Sequence, residues 1–179
     1  MTGTRLFTKR LAGFGATLAP LGGPAVAAAP VPHAASAVQC SGTTSSTFIP
    51  GITFIPQTVN IHADISSGAC ACTNPAITTA TSEVNGMGTL SCTIGNATGT
   101  QQIFCNDGSQ SVVTWTGLVG ARPGGQSVLV INGIVTGGSA FLGGTMTETL
   151  AVITNQSAQC LTPPGVTSGG GPVDLNIVA

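Results

Sequence analysis

Tyrosine is absent from this chain, tryptophan occurs once, and only four side chains are basic. Charged residues make up 5% of it, against about a quarter of an ordinary globular chain. Three of the four cations, Arg5, Lys9 and Arg10, sit in the first ten residues. Beyond them Arg122 is the sole cation and lysine is missing. Such a chain lacks the cationic groups that bind a phosphate backbone, which excludes nucleic acid as a partner. It also lacks the basic cluster that draws a protein to anionic lipid. No G-x-S-x-G nucleophile elbow occurs. His62 is the one imidazole after His33, too few for a histidine-based metal site.

What is present begins with an address. "MTGTRLFTKR" is cationic, "LAGFGATLAPLGGPAVAAAP" is apolar, and "HAASAVQC" offers small residues at Ala35 and Ala37. That order describes a secretory signal peptide over residues 1–37, cut after Ala37, followed by one domain over 38–179. The apolar run is long enough to span a bilayer. Pro20 and the Gly22-Gly23-Pro24 triplet make it a poor permanent anchor, and Gln39 before Cys40 does not suit lipid attachment. The expected location is therefore extracellular, with no membrane span after cleavage. The remaining chain sets one Arg against Asp64, Glu83, Asp107, Glu148 and Asp174, a formal −4, and its surface must be built from Thr, Ser, Asn, Gln and Gly.

Helix formers are scarce, and Thr, Val, Ile and Gly are abundant, which favours strands and turns. The clearest strand is "TVNIHADI" (58–65), where Val59, Ile61, Ala63 and Ile65 alternate with Thr58, Asn60, His62 and Asp64. Further strands are expected near 51–55, 75–82, 88–94, 101–105, 110–119, 126–136, 144–153 and 172–178. "NDGS" (106–109) is hairpin-turn chemistry, and "GGSAFLGG" (137–144) reads as a loop or sheet corner. Short strands at near-regular spacing predict an all-β fold, an antiparallel β-sandwich or barrel of about eight strands.

Cys40, Cys70, Cys72, Cys92, Cys105 and Cys160 all follow the expected cleavage point. An even count in an exported domain reads as a disulfide framework. The C-x-C spacing suits neither zinc nor a catalytic dithiol. On an extended strand Cys70 and Cys72 project to one side about 6.5–7 Å apart, so bonds to two different partners fit better than a bond between them. Cys92 and Cys105 lie on consecutive expected strands and are placed to face each other. Cys40 and Cys160 are placed to tie terminal segments to the 70–72 strand.

Other residues invite functional readings. His62 and Asp64 share a wet face, the arrangement of a base oriented by a carboxylate, or simply two surface neighbours. Glu83 and Glu148, or either with Asp107, suit a glycosidase carboxylate pair. Trp115 shares a face with Val113 and Val119 and reads as core. "GARPGG" presents Arg122, a possible interaction loop. "NAT" (96–98) and "NQS" (155–157) match the glycosylation sequon without further support.

The segments "PGITFIP", "GTLSCT", "NDGSQS", "NGIVTGGSAFLGG" and "QCLTPPGVTSGGGPVDLNIV", with Cys40 ahead of them, give the chain from residue 38 onward a resemblance. It resembles a group of small, uncharacterised secreted proteins from actinomycete-type bacteria. The resemblance implies a secreted β-sandwich or barrel with disulfides at Cys40, Cys92, Cys160 and one of Cys70 or Cys72. It implies no activity. Cys105 and the second cysteine at 70–72 depart from the group's pattern, which implies an extra bond from Cys105 to Cys70 or Cys72.

The expected function is that of a binding or structural module, not an enzyme, without cofactor or metal, whose partner is an extracellular protein or cell-envelope component. A protease-inhibitor-like effector presenting Arg122 and a small hydrolase using the acidic residues are the alternatives.

Overall fold

A computed structural model describes residues 36–121, 126–153 and 157–178. Residues 1–35 of the expected signal segment and Arg122 lie outside the described residues. Eight strands follow one another: β1 (Ser36–Ile52), β2 (Gln57–Cys72), β3 (Ala80–Leu90), β4 (Ile94–Cys105), β5 (Gln110–Ala121), β6 (Gln126–Gly138), β7 (Thr145–Ile153) and β8 (Val166–Val178). Each pairs antiparallel with the next, and β8 returns to pair with β1. Of the two all-β architectures expected, the chain adopts the closed barrel.

The alternation seen in the sequence is the inside–outside code of that barrel. Along β2, Val59, Ile61, Ala63, Ile65 and Ser67 are buried, while Thr58, Asn60, His62, Asp64 and Ser66 are exposed. Equivalent residues on the other strands fill the interior, with Ile103, Trp115, Ile131, Met146 and Ile177 among the most deeply buried. One hydrogen-bonded row shows how the ring closes. It runs Phe48–Ile61–Gly86–Gly99–Trp115–Gly133–Met146–Ile177 and returns to β1 at Val38, ten residues from its start. Strands of a closed barrel must tilt and stagger in this way.

That row also explains the single tryptophan. Trp115 is 1% exposed, and its partners on both neighbouring strands, Gly99 and Gly133, have no side chain. A Cβ on Gly86 or Gly99 would come within 2.6–2.7 Å of its ring. The glycines make the room that the indole occupies.

The barrel has two rims. The lower rim carries the 73–79, 106–109 and 139–144 turns; the upper rim carries the 53–56 and 91–93 turns and the segment 157–165, which includes a 3-10 turn (Ser157–Leu161). The "NDGS" turn forms as expected: Gly108 has φ +86°, and Asp107 Oδ1 accepts from the Ser109 amide at 2.9 Å. Residues 139–144 form the expected loop.

Three strand expectations need correction. Residues 88–94 are not a strand: β3 ends at Leu90 and Ser91–Thr93 turn the chain, with Ser91 Oγ donating to the Ile94 carbonyl at 2.8 Å. Residues 75–79 belong to the β2–β3 turn. The strand expected at 51–55 is only the last part of β1, which begins at Ser36.

Two disulfides hold the two rims. Cys40–Cys70 joins directly paired residues of β1 and β2, with Cα atoms 4.1 Å apart. Cys92–Cys160 joins the β3–β4 turn to the 3-10 turn, with Cα atoms 6.2 Å apart. The expectation that Cys40 ties its segment to the 70–72 strand is met. Cys92 does not pair with Cys105, because Cys92 lies in a turn at the upper rim and Cys105 points inward at the lower one. Cys160 accordingly reaches Cys92 instead of the 70–72 strand. The bonds close 30 and 68 residues of chain, and loops of that size stabilise by roughly 3–5 kcal/mol each in the chain-entropy view.

Candidate functional site: a strapped cavity over a buried polar belt

The barrel interior is not evenly filled. Beside the Trp115 row, toward the upper rim, runs Val59–Gly88–Ala97–Gly117–Ile131–Glu148. Three consecutive positions of that row are Gly, Ala and Gly, so β3, β4 and β5 contribute almost no volume there. A cavity of about 90 Å³ lies in the upper half, with Ala97 of that row in its wall. Phe48, Ile61, Leu90, Trp115, Leu129, Ile131, Leu150 and Val166 line it, and among the described residues Ser46 and Ser91 are its hydroxyl-bearing walls.

Cys92 and Cys160 line it too. The β3–β4 and β7–β8 connections are four strands apart in a ring of eight, so they stand opposite each other on the rim. The bond between them therefore crosses the mouth. The third upper connection is tied in: the Cys92 amide donates to the Thr53 carbonyl at 2.8 Å, and the Phe54 amide to the Cys160 carbonyl at 3.4 Å.

Polar groups lie next to the cavity wall at mid-barrel, and Trp115 belongs to both. Glu148 is fully buried and accepts a hydrogen bond from Gln101 Nε2 at 2.8 Å across the barrel. The cross-strand partners of Glu148 and Gln101 are Ile131 and Val84, which both line the cavity. Burial pushes the Glu148 carboxyl up to about 7, the bond from Gln101 pulling partly the other way. Among the described residues, Glu148 Oε1, Gln101 Oε1, Trp115 Nε1 and Thr44 Oγ1 are buried with no hydrogen-bond partner. With the ten-residue stagger spread over eight strands, these four residues fall within one layer at mid-barrel. Buried polar groups are nearly always satisfied, by protein, water or ligand, so four orphans in one layer mark this belt.

The other expected site residues are scattered. His62 sits half-exposed on the outside of β2, its Nδ1 donating to Asn85 Oδ1 at 3.0 Å and its Nε2 3.7 Å from Asp64 Oδ2. The carboxylates do not form the expected pairs: Glu83 faces solvent, Glu148 faces the core, and Asp107 holds the lower 106–109 turn. The Ser109 hydroxyl and amide hold the Asp107 carboxyl below its usual range. The register does place Asp64 directly opposite Glu83 on the outer surface, a juxtaposition the sequence reading did not anticipate.

Cys40, Cys70, Cys72 and Cys105 all join or pack against the core at the lower rim. Burial pushes the Cys105 thiol up; the Ser109 hydrogen bond opposes this, and Asp107 and Cys72 add to it. Cys72 is thus near enough to act on Cys105.

Fold and site together define a closed, eight-stranded, up-and-down barrel with a small interior cavity, an architecture that elsewhere either fills with side chains or holds one small ligand. No protein family, curated protein or solved structure matches the chain.

Proposed function

We propose that this is an exported, disulfide-stapled binding module that takes one small, predominantly apolar molecule into the upper cavity. The observation that carries this reading is the apolar cavity beneath the Cys92–Cys160 strap. An apolar void this size forgoes packing, and large-to-small changes that create such voids cost about 24 cal/mol per Å³. A chain that fills the rest of its interior with Ile, Val, Met and Trp and leaves this space open has room for a guest.

Several features support the wider setting. Disulfides at both rims suit an oxidising compartment. The outward side chains of β2 and β3 include Thr58, Asn60, Asp64, Thr81, Glu83 and Asn85, the reverse of the apolar band that lipid requires. In this reading the module works without catalysis. A third bridge, Cys72–Cys105, belongs to the same account: two thiols give two protons and two electrons to an exported disulfide-bearing oxidant, tying β2 to β4 at the lower rim.

Trp115, the single tryptophan, lines the cavity and reports on it. Titrating the secreted protein with toluene should change Trp115 fluorescence saturably, at one molecule per chain. Absence of saturable binding refutes the reading. Non-reducing mass mapping of the secreted chain should show Cys72–Cys105; two alkylated thiols there refute the third bridge.

A further inference from the structure

Resting on the reading of the cavity as a ligand site, we propose that the buried belt of Glu148, Gln101, Trp115 and Thr44 is the polar end of that site, and that the ligand is a small apolar molecule ending in a hydroxyl group.

The chemistry of the belt selects among end groups. Gln101 Oε1 only accepts and Trp115 Nε1–H only donates; Thr44 Oγ1 does both. All three are buried without a protein partner. A hydroxyl answers donor and acceptor together, donating its proton to Gln101 Oε1 and accepting from the indole N–H. A carboxylate or phosphate end would carry its own charge out of water, and no Lys or Arg side chain is buried among the described residues to offset it. A bare hydrocarbon would leave every orphan unanswered, and unsatisfied buried polar groups are costly. An ammonium end would find acceptors in Glu148 and Gln101 but would set its own N–H groups against the indole N–H. The hydroxyl is the end group that serves donors and acceptors together.

The position of the belt fits. Ile131 and Val84, which pair with Glu148 and Gln101, form part of the cavity wall. A ligand entering from the upper rim thus has apolar contact along its body and ends beside Trp115, the belt residue that lines the cavity.

The test compares benzyl alcohol, toluene, benzylamine and benzoate by calorimetric titration of the disulfide-intact protein at about pH 6. Benzyl alcohol should bind about tenfold more tightly than toluene, the gain of roughly one buried hydrogen bond, with benzoate weakest. In Gln101→Met that preference should shrink to within about twofold. The indole N–H resonance of Trp115 gives a readout that needs no variant: it should move downfield with benzyl alcohol and not with toluene. Toluene binding as tightly as the alcohol, with no downfield indole shift, overturns the belt's role while the cavity reading stands. Benzylamine or benzoate binding tightest overturns the hydroxyl assignment. If none of the four binds, the cavity reading falls and this inference with it.

Discussion

The lower and upper halves of the barrel are built on one register yet are packed differently. Below Trp115, Ile103, Val113, Val135, Met146 and Ile177 fill the interior, and Ile77 in the 73–79 turn is buried with them. Above it lies the cavity, with Ala97 in its wall. The lower half coheres by packing, with Cys40–Cys70 joining neighbours already held by ladder hydrogen bonds. The upper half has fewer such contacts, and its disulfide instead spans the mouth. A barrel can keep an internal space if a covalent strap does at the rim what side chains do in the core.

The contrast is open to attack at several points. The largest effect is expected from removing the strap: Cys92→Ser with Cys160→Ser should cost roughly 4–5 kcal/mol in chemical unfolding. Removing Cys40–Cys70 in the same way should cost about 1 kcal/mol less, as its 30-residue loop is shorter than the 68-residue one. Equal losses would contradict the account.

Next comes the buried acid between the two halves. Glu148 is raised from its ordinary 4.5 to about 7 by burial in the folded chain. Between those values the unfolded chain ionises Glu148 while the folded chain keeps it protonated. Its contribution is therefore fully present below about pH 4.5, declines as pH rises, and is lost above about pH 7. The decline should amount to ~3 kcal/mol. Glu148→Gln should flatten that slope in urea melts at a series of pH values; an unchanged slope means the titrating group lies elsewhere.

Within the core, Ile103→Ala in the lower half should cost about 3 kcal/mol and Leu129→Ala at the cavity wall about 1, since a wall residue already lacks neighbours on one side. A reversed order would deny the packing contrast. The smallest effect on stability, under about 1 kcal/mol, is expected for Ala97→Val, which grows into the void. Its toluene affinity should nevertheless fall at least about tenfold, as seen in Trp115 fluorescence.

Much of the barrel was legible in the sequence. The alternation of 58–65 named the inward face of β2 residue by residue, and Asn106–Ser109 announced its turn. β1 was harder to read, because its inward positions include Gly42, Thr44 and Ser46, and a bulge at Ser41/Gly42 interrupts the period. Apolar–polar alternation carried on through Leu90, Cys92 and Ile94, but Ser91 bonding back to Ile94 bends the chain there. Closure rests on β1 meeting β8, a contact between distant segments that no local pattern encodes. Glu148 left a signal that went unused: it alternates with Met146 and Leu150, a charge in an apolar register. Gln101 likewise alternates with Ala97 and Ile103. The cavity is walled by residues from several strands, visible only once the register aligns them.

Crystals of the disulfide-intact protein pressurised with xenon give the most direct measurement, since xenon occupies dry apolar cavities. One xenon site bounded by Trp115, Ile131 and Leu150 in the upper half is the predicted result. Xenon confined to the lower half, or an interior that admits none, would contradict the claim that this barrel holds a strapped, apolar space for a guest.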